Sequence, residues 1–70
     1  MVEKSSIARK VKEFRESKGL SQQELAVKAG LSISEVAQIE QGKKADLRMS
    51  TVIALAKALE IDVGQLLPAE

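Results

Sequence analysis

The chain has 70 residues, enough for one domain that buries only about 60% of the surface its unfolded form exposes, so its fold must be small and economical. With 44% hydrophobic and 30% charged residues it is a globular rather than a disordered sequence, and a net charge of +1, from 11 Lys and Arg against 10 Asp and Glu, excludes a global attraction to an acidic partner. The absence of Cys and His excludes disulfides, a thiol nucleophile, an imidazole base and any nitrogen or sulfur metal ligand, and no metal or cofactor is expected; with the carboxylates accounted for as caps, ion pairs or surface and no nucleophile and base at motif spacing, no enzyme activity is expected either.

Apolar stretches such as Val52 to Ala56 fall far short of the roughly 20 residues a membrane helix needs. Met1 to Ser6 lacks the apolar run of a signal peptide, and a soluble cytoplasmic protein with no membrane partner is expected. Ile7, Val11 and the only aromatic residue, Phe14, recur at helical spacing between Arg9, Lys10, Lys12 and Glu13, which predicts a first helix over about residues 6–18. Two near-identical phrases follow, GLSQQEL at 19–25 and GLSISEV at 30–36. Ser21 with Glu24, and Ser32 with Glu35, have the spacing of capping boxes, in which the Ser hydroxyl accepts from the N3 amide and the Glu reaches back to the Ser amide. Leu20 with Leu25 and Leu31 with Val36 supply the matching hydrophobic staples. Gly19 and Gly30 stand where the preceding helix must stop in a left-handed residue.

Each phrase therefore ends one helix and starts the next, which predicts a short second helix over 22–29 and a third over about 33–41, ended by Gly42. Val36 and Ile39 give the third helix its inner edge. Ser50 can cap a fourth helix over about 51–59, with Val52, Leu55, Ala56 and Leu59 inward. A looser third copy, EIDVGQL at 60–66, places Glu60 where the other phrases have Gly, with Asp62 as cap, Gln65 at N3 and Ile61 with Leu66 as staple. It predicts a short fifth helix over 63–67, stopped by Pro68. No segment shows strand alternation. The fold class expected is all-α, a compact five-helix domain filling residues 1–70 with its core over about 6–67.

Helices two and three, joined through Gly30, Leu31 and Ser32, have the form of a helix-turn-helix, whose second helix lies in the major groove of DNA. Spacing alone leaves open a small helical bundle with no role on DNA.

The run LSQQELAVKAGLSISEVAQIEQGKK, followed by STVIALAKAL, resembles the phage-repressor family of helix-turn-helix proteins, of the Cro/cI or XRE type, with a lambda-repressor-like fold, and the resemblance extends over about residues 7–67. It implies a sequence-specific double-stranded DNA-binding protein of five helices, a small transcriptional regulator and most often a repressor, acting as a homodimer on a palindromic operator. It also implies roles for single residues. Gln22 matches a glutamine that touches the DNA backbone and braces the reading helix, and a helix N-terminus suits phosphate. Ile33, Ser34 and Gln38 match positions facing base edges, where a glutamine amide pairs bidentately with adenine and an isoleucine offers only apolar contact, as with a thymine methyl. Ser32 and Gln41 match phosphate-contacting positions, Lys43 and Lys44 match backbone-contacting cations, and Arg48 is a further phosphate contact. Arg15 and Glu40 match an ion pair tying helix one to the end of helix three, a scaffold role.

The sequence departs from that pattern in a reading helix without Arg or Lys and in a loop, 42–50, without proline. Two further functions therefore stay open. One is an antitoxin or controller protein that holds DNA and a partner protein; the other is a protein-binding adaptor that does not read DNA. Val63, Leu66 and Leu67 are the candidate dimer surface, with Leu47 and Met49 beside them.

Overall fold

The structure, a computed structural model, describes residues 4–43 and 47–67. The order of elements is α1 (Lys4–Ser17), α2 (Gln22–Ala29), α3 (Ile33–Glu40), α4 (Met49–Leu59) and one 3-10 turn (Val63–Gln65), with no strand among the described residues. The expected five helices are thus four α-helices and a single 3-10 turn. The fifth segment has its backbone bonds, from Gln65 N–H to the Asp62 carbonyl and from Leu66 N–H to the Val63 carbonyl, at 3-10 spacing. Pro68, expected to stop it, lies outside the described residues.

Helix packing follows the apolar stripes. Ile7 and Val11 of α1, Leu25 and Ala26 of α2, Val36 and Ile39 of α3, and Val52, Leu55, Ala56 and Leu59 of α4 form one buried cluster, closed from the C-terminal side by Leu66. Phe14 lies half-buried at its edge. Each large aliphatic side chain so buried contributes about 1.5–3 kcal/mol of transfer free energy, enough in aggregate to hold a chain without disulfides or metal.

Both repeated phrases form as capping boxes. Ser21 Oγ accepts from Glu24 N–H at 3.0 Å while Ser21 N–H donates to Glu24 Oε1 at 2.8 Å, and Ser32 and Glu35 exchange the same two bonds at 3.0 Å each. The bonds from Ser21 hold the Glu24 carboxyl below its ordinary range. At the third copy, Asp62 N–H donates to Gln65 Oε1 at 3.0 Å.

Every α-helix also ends in the same two-bond stop. Leu20 N–H reaches the Arg15 carbonyl and Gly19 N–H that of Glu16; Leu31 and Gly30, Lys43 and Gly42, and Ile61 and Glu60 repeat the pair. In each case a residue one or two places past the helix is left-handed, at φ +70° for Gly19, +71° for Gly30, +72° for Gly42 and +60° for Glu60. The apolar residue that follows three of these stops is at once the last anchor of one helix and the first of the next, and Leu20, Leu31 and Ile61 all pack on the core. At the end of α3 that position is Lys43, which is exposed, so the chain leaves in a loop there instead of turning straight into another helix.

Glu60 is the one described non-glycine residue at positive φ, a conformation that costs an L-residue roughly 1–2 kcal/mol. After allowance for the greater freedom of glycine in the unfolded chain, Glu60→Gly is expected to stabilise the protein by about 0.5–1 kcal/mol, a rise of a few degrees in melting temperature. A thermal melt followed by circular dichroism checks this, and an unchanged or lower midpoint would contradict it.

The fourth helix starts earlier than its serine suggests. Arg48 is the N-cap, its carbonyl accepts from Thr51 and Val52 N–H at 3.1 Å each, and Ser50 lies inside the first turn rather than capping it. Starting at Met49 makes Leu47 the N′ residue and Val52 the N4 residue, and both belong to the core or pack on it. A Leu–Val staple outweighs the serine cap, whose register would have set Met49 against Ala54.

Candidate nucleic-acid interface

Helix α3 packs its inner side on α1 and α2 through Val36 and Ile39, which leaves the opposite side uncovered. Ser34, Gln38 and Gln41 fall on that side at spacings of four and three residues and are all exposed, one above the other along a single stripe. Ile33, half exposed, stands at the edge of the stripe in the first turn. The Gln38 side chain has no hydrogen-bond partner among the described residues, so its amide is uncommitted. Ser32 is exposed at the start of α3, and its hydroxyl, while accepting from Glu35 N–H, retains its own proton for an outside acceptor.

The stripe is electrically neutral although α3 contains two carboxylates and no base. Glu35 is turned back onto the Ser32 amide, and Glu40, the last residue of α3, is turned into the protein, its side chain only 3% exposed. A carboxylate at a helix C-terminus opposes the helix dipole and is expensive to bury, so Glu40 requires a cation. Arg15 supplies it in a two-pronged contact, Nε to Glu40 Oε2 at 2.6 Å and Nη2 to Oε1 at 3.1 Å, with its own side chain 12% exposed. The hydrogen bonds to Glu40 hold the Arg15 guanidinium above its already high ordinary pKa, while burial works in the other direction.

The guanidinium is fixed from a third side, since Arg15 Nη1 donates to the Leu20 carbonyl at 2.8 Å. Gln22, half-buried in the first turn of α2, donates from Nε2 to Glu40 Oε1 at 3.1 Å. The end of α1, the start of α2 and the end of α3 therefore meet on one carboxylate. Resemblance offered Arg15 with Glu40 and a Gln22 that braces the reading helix, but not Glu40 as the partner of Gln22, since the two lie 18 residues apart in no local pattern.

Lys43 is exposed at the exit of α3, and Arg48 is exposed where the chain enters α4. Lys44 lies outside the described residues. On the expected dimer surface Val63 and Leu67 are half-buried, but Leu66 is 0% exposed and belongs to the core of its own chain, so it offers nothing to a second protomer. The physical reason is the turn at Val63–Gln65, which directs Leu66 back among the α4 leucines as the staple partner of Ile61. Lys10 Nζ secures the segment by donating to the Leu67 carbonyl at 3.0 Å. The apolar side chains that do stand out on α4 are Met49, 46% exposed, and Ile53, 38% exposed, one turn apart. Val27, on the outer side of α2, is more exposed still; neither it nor Ile53 was marked by sequence.

Among the described residues no cluster of Asp and Glu could hold a metal ion, and no helix is long and apolar enough to cross a membrane. The chain matches the helix-turn-helix family HTH_3 over residues 11–66. It is 38% identical over 64 residues to the control protein C.SmaI of Serratia marcescens, an alignment covering 91% of this chain and 75% of that protein. Among solved structures it is similar to the restriction-modification controller protein C.AhdI from Aeromonas hydrophila, with a TM-score of 0.85, 34% identity and coverage of 89% of this chain and 92% of that one. A hypothetical transcription factor from Neisseria, NHTF, superposes with a TM-score of 0.89 at 32% identity, covering 94% of this chain and 75% of that one.

Proposed function

Since the chain belongs to the helix-turn-helix family HTH_3, we propose that it is a small regulator of transcription that binds double-stranded DNA with α3 in the major groove. The observation that carries this is the uncovered stripe of Ser34, Gln38 and Gln41 on the second helix of the unit, uncommitted in its hydrogen bonding and neutral because both α3 carboxylates are turned away from it. Gln38 reads an adenine and Ile33 a thymine methyl, which favours A·T pairs. Ser32, Gln41, Lys43, Lys44 and Arg48 contact phosphates on either side, and Gln22 does so from the start of α2. With a net charge of +1 the affinity rests on few phosphate contacts, so two copies bind a palindromic operator with half-sites about one helical turn, roughly 34 Å, apart.

Met49 and Ile53, with the half-buried Val63 and Leu67, supply the apolar surface for that pairing. The protein performs no chemistry. It acts in the cytoplasm as one domain with its core over 6–67, and represses by occupying an operator that polymerase needs. A second reading, that it is the controller of a restriction-modification gene pair, is favoured by the coverage of 92% of C.AhdI and 75% of C.SmaI.

A mobility shift of the protein on the DNA upstream of its own gene, over a series of salt concentrations, tests the proposal. Gln38→Ala is expected to remove about 1–3 kcal/mol of discrimination between operator and random DNA. Lys43→Ala should weaken binding to all sequences and lower the log–log salt slope by about 1 for each protomer. Failure of the wild type to bind either its own promoter or random DNA at low salt would transfer the function to a protein-binding adaptor.

A further inference from the structure

The Glu40 carboxylate does more than close an ion pair. It accepts three hydrogen bonds, two from Arg15 and one from the Gln22 amide, and it can accept only. An amide side chain facing an acceptor-only group has one possible orientation, with its NH2 toward that group. Of the two N–H bonds on Gln22 Nε2, one is thereby used by Glu40, and the second has no acceptor among the described residues. DNA phosphate oxygens are also acceptors only, so a Gln22 amide turned the other way would present its carbonyl to them and be repelled.

We propose that Glu40 is a positioning residue for DNA binding: through the Gln22 amide it directs one N–H from the start of α2 to a backbone phosphate. The inference rests on the DNA-binding reading above and adds to it. Arg15 holds the carboxylate in place and is itself held by the Leu20 carbonyl, so the orientation of Gln22 is set by groups that the fold has already immobilised. Because Glu40 is the last residue of α3, a phosphate bound by Gln22 is linked through two hydrogen-bonded side chains to the end of the reading helix.

The test uses variants of Gln22 that leave the Arg15–Glu40 pair intact, measured on operator and on random DNA. Gln22→Met keeps the side-chain length and loses the donor. Gln22→Asn keeps the amide but is one methylene too short to hold the 3.1 Å bond to Glu40. Both are expected to weaken binding about tenfold or more, as for loss of a hydrogen bond to a charged group, and by the same factor on both DNAs. Wild-type affinity for Gln22→Asn would mean that orientation by Glu40 is not needed, and wild-type affinity for Gln22→Met would mean that Gln22 makes no contact; either overturns the proposal while DNA binding stands.

A changed ratio of operator to random affinity would also overturn it, by revealing a displaced α3. Glu40→Gln, whose amide no longer dictates how Gln22 turns, should weaken binding in the wild-type background and much less in the Gln22→Met background, whereas equal factors in the two backgrounds would assign Glu40 to the scaffold alone. If Glu40→Gln does not fold, the two Gln22 variants decide the question. Absence of any DNA binding by the wild type overturns this proposal and the regulator reading together.

Discussion

Replacing Arg15 by alanine is expected to leave most of the protein unfolded at 37 °C. The substitution strands the Glu40 carboxylate at 3% exposure with Gln22 Nε2 as its one remaining side-chain donor among the described residues. Breaking a buried ion pair from one side costs about 3–5 kcal/mol, because a desolvated charge is left uncompensated. A chain of 70 residues has a total stability of roughly 4–10 kcal/mol, so the loss is of the same order as the whole. The midpoint of thermal unfolding should fall by on the order of 20 °C.

The same physics predicts a recovery. Arg15→Met combined with Glu40→Leu exchanges two buried charges for apolar volume and should melt near or above the wild type. That double variant also removes the acceptor for Gln22, so it should fold well and yet bind DNA less tightly. A single variant melting within about 5 °C of the wild type would show that the pair behaves as a solvated surface contact.

The second large effect is expected at Leu66. Truncation of this wholly buried side chain to alanine should cost about 2.7–5 kcal/mol, the transfer term plus a cavity that the surrounding leucines cannot fully close. The loss should be independent of protein concentration, since the contacts lie within one chain. Charging the α4 surface instead, with Met49→Asp and Ile53→Asp, should change the stability of the monomer by about 0.5 kcal/mol or less and weaken self-association. Thermal melts at two concentrations, with sedimentation alongside, separate the two cases. If Leu66→Ala left the monomer melt unchanged and raised only the dimer dissociation constant, Leu66 would be an interface residue and the core placement would be wrong.

Most of the architecture was legible in the sequence, for an identifiable reason. Helix stops and starts are local events, decided by five or six neighbouring residues, and GLSQQEL and GLSISEV contain all of them: a left-handed residue, an apolar anchor, a serine cap and a glutamate at N3. The bounds of α2 were read to the residue, as was the start of α3. The residues of the stripe on α3 were named by resemblance; they share a helix face because positions four and three apart do so whatever the helix packs against. Even Glu60, which departs from the glycine of the other phrases, ends its helix in the same left-handed conformation.

Where local signals competed, or where distant segments met, tertiary packing decided. Ser50 is a good cap by itself, yet α4 starts at Met49 because the Leu47–Val52 staple reaches the core and the serine register does not. The last segment was read as a helix in which Leu66 was both the staple partner of Ile61 and a candidate for the dimer surface; one 3-10 turn places that leucine in the interior. The pairing of Arg15 with Glu40 was suggested by resemblance, but the attachment of Gln22 to the same carboxylate depends on how the start of α2 lies against the end of α3. Local sequence determined where α2 begins and ends and where α3 begins, since those depend on short-range hydrogen bonds. Which buried charge holds which surface amide was decided only by folding, because that contact joins residues with no local geometry in common.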